Sequence, residues 1–180
     1  MIVKFRIISG EKDDFVRDIE LYSESSFLDL HLSIQDSCGY DEGLLTSFFV
    51  SDNDWKKGKE IILEKMDPET QQDVLLMEDV IISDFATDKK QKFIYVFDFF
   101  SVRSFFIEVV NIRKSDKEDK KLKYPICTLS EGTPPRQIFI EDMKNLDVDS
   151  PDFVSIDDLD DMSFDDDYDD DDGFDDDYNL

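Results

Sequence analysis

The chain has 180 residues, and 46 acidic against 20 basic side chains leave a formal charge of −26. That balance disfavours nucleic acid as a partner, because affinity for a phosphate backbone comes from Lys and Arg displacing condensed counterions. Two cysteines (Cys38 and Cys127) with no CxxC pairing offer neither a disulfide framework nor a four-ligand zinc site, and with a single histidine any Ser/His/Asp or Cys/His triad must use His31.

The charge is split along the chain. Residues 145–180 contain 17 Asp and no Lys, Arg or Glu, so residues 1–144 keep 29 acidic and 20 basic groups, a balance of −9. This predicts one folded domain over 1–144, followed by an Asp-rich tail over 145–180 whose self-repulsion and sparse apolar content predict disorder.

Ile2–Ser9 is rich in strand-forming residues and predicts a strand. Gly10 and the charged run after it mark a turn, and Phe15–Tyr22 alternates as the second strand of a hairpin. Ser23, Ser25 and Ser26 offer capping hydroxyls before Phe27, Leu30, His31, Ile34 and Cys38, which recur at helical spacing up to Gly39. This predicts a helix over 26–38. LLTSFFV predicts a third strand, and the polar turn around Trp55 leads to a short apolar strand. Residues 66–84 give no single reading. Residues 92–99 and 103–112 predict a largely buried hairpin, and Arg113–Lys123, with six basic and three acidic residues, reads as a solvated loop. From Tyr124 onward, Pro125, Gly132, Pro134 and Pro135 predict an ordered wrapping segment without regular ladder bonding.

The most apolar stretch, Phe93–Val110, is interrupted by Asp98, Arg103 and Glu108, so no membrane span is expected. The amino terminus lacks the apolar segment and cleavage site of a signal peptide, and a cytoplasmic protein is expected.

Three segments together resemble the plasmid open-reading-frame-three-like family, also found as a passenger protein of insertion elements. Leu30, His31, Ile34, Gln35, Gly39, Tyr40 and Phe48 match its first motif, and Tyr95, Phe97, Asp98 and Phe99 its second. Tyr124, Pro125, Cys127, Gly132, Pro134 and Pro135 match its third. Phe100, Ser101, Arg103 and Ser104 depart from the Gly, Asp and Trp of the second motif, and Arg136 and Gln137 replace two acids of the third. The resemblance implies an α+β fold of β-grasp-like character, its mixed or antiparallel sheet crossed by one principal helix. It implies no established reaction. A resolvase-like label borne by some relatives finds no support, since a serine recombinase needs a cluster of arginines and the five here are dispersed.

Candidate pocket or surface residues are His31, Trp55, Tyr95, Asp98, Pro134 and Pro135. His31 could exchange protons near neutrality, or pack at the core edge with its ring hydrogen-bonded. Asp98 lies in an apolar strand, where a carboxylate marks a site or caps the hairpin turn. Trp55, with Asp52 and Asp54, either forms a recognition surface or anchors a turn. In the tail, Phe164, Tyr168, Phe174 and Tyr178 stand among aspartates as anchors for a basic partner, and the spacing for a calcium loop is absent. No cofactor or metal is expected. The reading is a non-enzymatic interaction module whose acidic tail engages basic protein partners or keeps the body soluble. The alternatives are an enzyme, or degenerate enzyme, near His31 and Asp98, and a mobile-element accessory factor touching DNA weakly through its basic loop.

Overall fold

A computed structural model describes residues 1–41, 44–65, 74–99 and 101–137. The chain divides after Ile138, and every helix and strand of the described residues belongs to the unit Met1–Ile138. The tail, with Phe164, Tyr168, Phe174 and Tyr178, lies outside the described residues, as do 66–73.

The hairpin expected at the amino terminus forms from β1 (Ile2–Ser9) and β2 (Val16–Tyr22), antiparallel and in register from Ile2↔Tyr22 to Ile8↔Val16. Helix α1 (Phe27–Cys38) starts and stops where its sequence signals lie. Ser26 Oγ accepts from Asp29 N at 3.1 Å, the Asp29 carboxylate accepts from Ser26 N at 2.9 Å, and Gly39 takes the left-handed conformation (φ 64°) that only glycine adopts cheaply. Strands β3 (Ser47–Ser51), β4 (Lys57–Ile62), β5 (Leu75–Leu76), β6 (Lys92–Asp98), β7 (Arg103–Arg113) and β8 (Ile126–Glu131) complete an eight-stranded sheet in the order β5-β4-β3-β6-β7-β1-β2-β8. Every pairing is antiparallel except β4 with β5. The chain is therefore α+β, with a mixed sheet and one principal helix, as expected.

One face of the sheet supplies the core at alternate positions: Val3, Phe5 and Ile7; Ile19 and Leu21; Phe48; Ile61; Phe93, Tyr95 and Phe97; Phe105, Ile107 and Val109. Helix α1 lays Phe27, Leu30, His31, Ile34 and Gln35 onto it. Phe27 packs its ring 5.3 Å from Phe48 and 5.5 Å from Phe93, and burying one such ring contributes about 1.5–3 kcal/mol. The stretch after residue 74, which has no single sequence reading, serves the helix. Val80 and Met77 carbonyls accept from the Phe27 and Leu28 N–H groups, two of the donors that a first turn leaves without intrahelical partners.

Two expectations are corrected. β8 pairs with β2 from Val16↔Glu131 to Glu20↔Ile126, so regular ladder bonding does occur between the prolines. Pro125 precedes the strand, Pro134 and Pro135 follow it, and β8 lies at the sheet edge, where none of the three is asked for a ladder N–H. Second, Arg113–Lys123 is not simply a solvated loop. Arg113 grips Asp119 through both nitrogens at 2.6 and 2.8 Å and reaches Glu20 at 3.1 Å, Tyr124 donates to Asp119 at 2.7 Å, and Asp119 is buried. Hydrogen bonds from Arg113 hold the Asp119 carboxyl well below the ordinary range.

Candidate functional site

Under the middle of α1 lies a sealed polar layer. The Tyr95 hydroxyl is 2.8 Å from His31 Nδ1 and accepts from Gln35 Nε2 at 2.6 Å, while Thr46 Oγ1 stands 3.4 Å from the same imidazole nitrogen. All four residues are buried. The helix repeat sets His31 and Gln35 one turn apart on the face turned to the sheet, and β6 raises Tyr95 between them. The Gln35 amide donates to the Tyr95 oxygen, and where the phenolic proton goes to His31 Nδ1 the imidazole is the neutral tautomer protonated on Nε2. Burial brings His31 down to about 4 and raises Tyr95, so at neutral pH both stay uncharged. Gln35 Oε1 is buried with no hydrogen-bond partner among the described residues.

At the carboxyl end of α1 the chain is tied to the segment that follows β8. Tyr40 donates to the Pro135 carbonyl at 2.5 Å and packs its ring against Phe97 and Phe105. Asp41 N donates to Gln137 Oε1 at 2.7 Å. Arg17, buried, donates to the carbonyls of Ser37 (3.1 Å), Val16 (2.8 Å), Glu131 and Gly132 (3.2 Å), joining the helix end to β2 and β8. Nearby, Arg103 holds Glu11 with two hydrogen bonds (2.9 and 2.7 Å), donates to the Arg136 carbonyl at 2.8 Å and lies 3.8 Å from the Asp98 carboxylate. Asp98 itself accepts from Ser101 N at 3.2 Å and so caps the β6–β7 turn. Burial pushes the Cys38 thiol up to about 11 and raises Cys127, which leaves neither as a thiolate at neutral pH.

Of the residues singled out in the sequence, His31 and Tyr95 therefore meet directly. Asp98 is partnered by Ser101 and Arg103, and among the described residues no hydrogen bond or ion pair given for these three reaches the His31 cluster. Pro135 joins the helix end through Tyr40, with Pro134 beside it. Trp55 is elsewhere, its ring 4.9 Å from Phe106 and beneath the Lys92 ammonium at 4.5 Å, in a turn whose left-handed Trp55 backbone (φ 62°) is supported by Asp52 Oδ1 accepting from Asp54 N and Lys56 N at 2.9 Å.

A basic cluster assembled across the sheet escapes a reading of the sequence alone. The β3–β4 and β3–β6 pairings set Ser51 opposite both Lys57 and Lys92, so the run Lys56–Lys59 and the run that ends at Lys92 flank β3. The signals are the short runs KKGK and KKQK, but nothing local to either shows that they are neighbours.

Two comparisons match this chain. A family model described as plasmid pRiA4b ORF-3-like protein matches residues 2–146. A crystal structure of a protein of unknown function, MM3350 from Methanosarcina mazei Go1, shares the fold with a TM-score of 0.55 at 21% identity, over 72% of this chain and 67% of that one. No curated protein matches the sequence.

Proposed function

The chain belongs to the plasmid pRiA4b ORF-3-like protein family, and from that premise we propose that it is a non-enzymatic interaction module of the cytoplasm. Its folded body serves as a rigid platform, and its Asp-rich carboxyl-terminal segment steers and holds basic protein partners. The observation that carries this reading is the state of His31. The one imidazole of the chain is buried, held neutral and hydrogen-bonded to Tyr95, which takes the obvious proton-transfer group for neutral pH out of any open site among the described residues. Asp98, the other residue of an enzymatic reading, is used in capping a turn. The basic segment 113–123 gives a DNA-touching role little support, since Arg113 and Lys121 already hold carboxylates. Among the described residues no helix is long and apolar enough to cross a membrane.

The test uses the full chain and a lysine-rich synthetic peptide. Asn replaces Asp165, Asp166, Asp167, Asp175, Asp176 and Asp177 in the variant. The expected result is at least a tenfold loss of affinity and a shallower dependence on salt. Equal affinity for both proteins contradicts the steering role, and a variant that binds equally but precipitates makes the segment a solubiliser.

A further inference from the structure

The six lysines of the two runs, Lys56, Lys57, Lys59, Lys89, Lys90 and Lys92, make no ion pair among the described residues, a state they share with Lys12, Lys65, Lys114, Lys117, Lys120 and Lys123. Ion pairs there engage Lys4, Arg6, Arg103, Arg113 and Lys121. Over 52–60 and 88–92 these six lysines face four acidic residues, a local excess of +2 in a region 1–144 that carries −9. Lysines on an edge strand also guard a sheet against self-pairing, which explains their number. It does not explain the groove of about 480 Å³ that three of them, Lys56, Lys57 and Lys59, line together with Val50, Phe85 and Gln91. Lys59 leans over the Phe85 ring at 5.9 Å. Among the described residues nothing pairs with the outer edge of β4 at this point: β5 pairs only with Ile61 and Ile62, and Lys57–Glu60 are exposed.

We propose that this groove docks an extended acidic peptide of another protein, with one apolar side chain seated on Val50 and Phe85 and its carboxylates on Lys56, Lys57 and Lys59. The inference concerns the folded unit and does not depend on the role given to the Asp-rich segment. The apolar Val50 and Phe85 ask for a side chain, and a strand edge with no pairing among the described residues offers N–H and C=O groups that a peptide backbone can match and a nucleic acid cannot. The lining contains no arginine, and Asp52 within it disfavours a dense run of phosphates. The overall charge of −26 does not forbid the encounter, because at physiological salt fields from exposed charges decay over about 8 Å and the lysines dominate inside the groove.

Trp55 is the only tryptophan and adjoins Lys56, so its fluorescence reports occupancy in the unlabelled full chain. The probe is a synthetic twelve-residue Asp/Glu peptide with one central Phe. Saturable binding is expected, weakened at least tenfold in K56Q/K57Q/K59Q, weakened several-fold in the single variant K59Q, and changed less than twofold in K120Q/K123Q. Replacing the central Phe by Ser, or the acids by Asn and Gln, is expected to weaken it likewise. The single variant, with an unchanged melting curve, guards against a folding failure in the triple one. Binding that ignores the three lysines overturns the proposal. So does a short DNA duplex or polyphosphate that binds as tightly as the peptide, since the site then reads charge alone. Both the wild type and these variants keep every tail aspartate, so this result is separate from that of the lysine-rich peptide.

Discussion

The polar layer beneath α1 and the lysine edge of β4 are made of similar material, titratable and hydrogen-bonding side chains, and use it in opposite ways. In the layer, His31, Gln35, Thr46 and Tyr95 satisfy one another and are closed off by the helix. Along the edge, the lysines form no ion pair among the described residues and line an open groove. The residues with the most catalytic chemistry are thus committed to the fold, and those that read as ordinary surface charge remain available. Arg113 repeats the lesson, since the cation in the most basic stretch of the sequence is consumed by Asp119 and Glu20.

The largest expected effect breaks the layer by protonation. His31 titrates near 6.5 unfolded and near 4 folded, so the unfolded chain binds the extra proton between those values. Stability contributed by the neutral imidazole is whole above pH 6.5 and falls by about 3 kcal/mol as pH drops to 4, at 1.36 kcal/mol per unit. Urea midpoints measured across that window show the decline in the wild type, and H31Q flattens it. The Asp18 carboxyl acts lower. Burial raises it, but hydrogen bonds and charges from Arg6 and Lys4 outweigh burial and hold it below its ordinary value, so its contribution is present above pH 3.8 and lost only below.

Y95F comes next. It removes the hydroxyl that His31 and Gln35 share, and leaving buried polar groups unpaired costs about 1–3 kcal/mol, read as a lower urea midpoint at pH 7.5. Q35M is milder, because the buried oxygen it deletes has no partner among the described residues. Its midpoint is expected within about 1 kcal/mol of wild type, of either sign. The smallest effect falls on the edge: K57Q and K59Q change stability by less than about 0.5 kcal/mol each. A larger loss there, with no loss in Y95F, inverts the comparison.

The contrast also governs what is legible in the sequence. The caps of α1 can be read there, because Ser26 and Gly39 act within four residues of the helix. His31 and Tyr95 each stand out, one as the sole imidazole and the other through a family motif, but their hydrogen bond spans 64 positions and no local pattern joins them. Asp98 takes the turn-capping role that is one of its two sequence readings. β8 escapes because its flanking prolines weigh against the strand between them. β5 is two residues long and parallel, with no alternation to betray it. The lysine cluster needs the β3–β4 and β3–β6 registers before its two runs can be placed on either side of β3.

The central claim is that the imidazole is sealed and structural, and with one histidine in the chain its resonances are unambiguous. Nitrogen-15 NMR of the native protein from pH 7.5 to 4.5 tests it directly. The expected result is a neutral imidazole down to about pH 5, with protonation setting in only as pH approaches 4. A His31 that titrates close to 6.5 in the folded state contradicts it and returns the imidazole to the list of working groups.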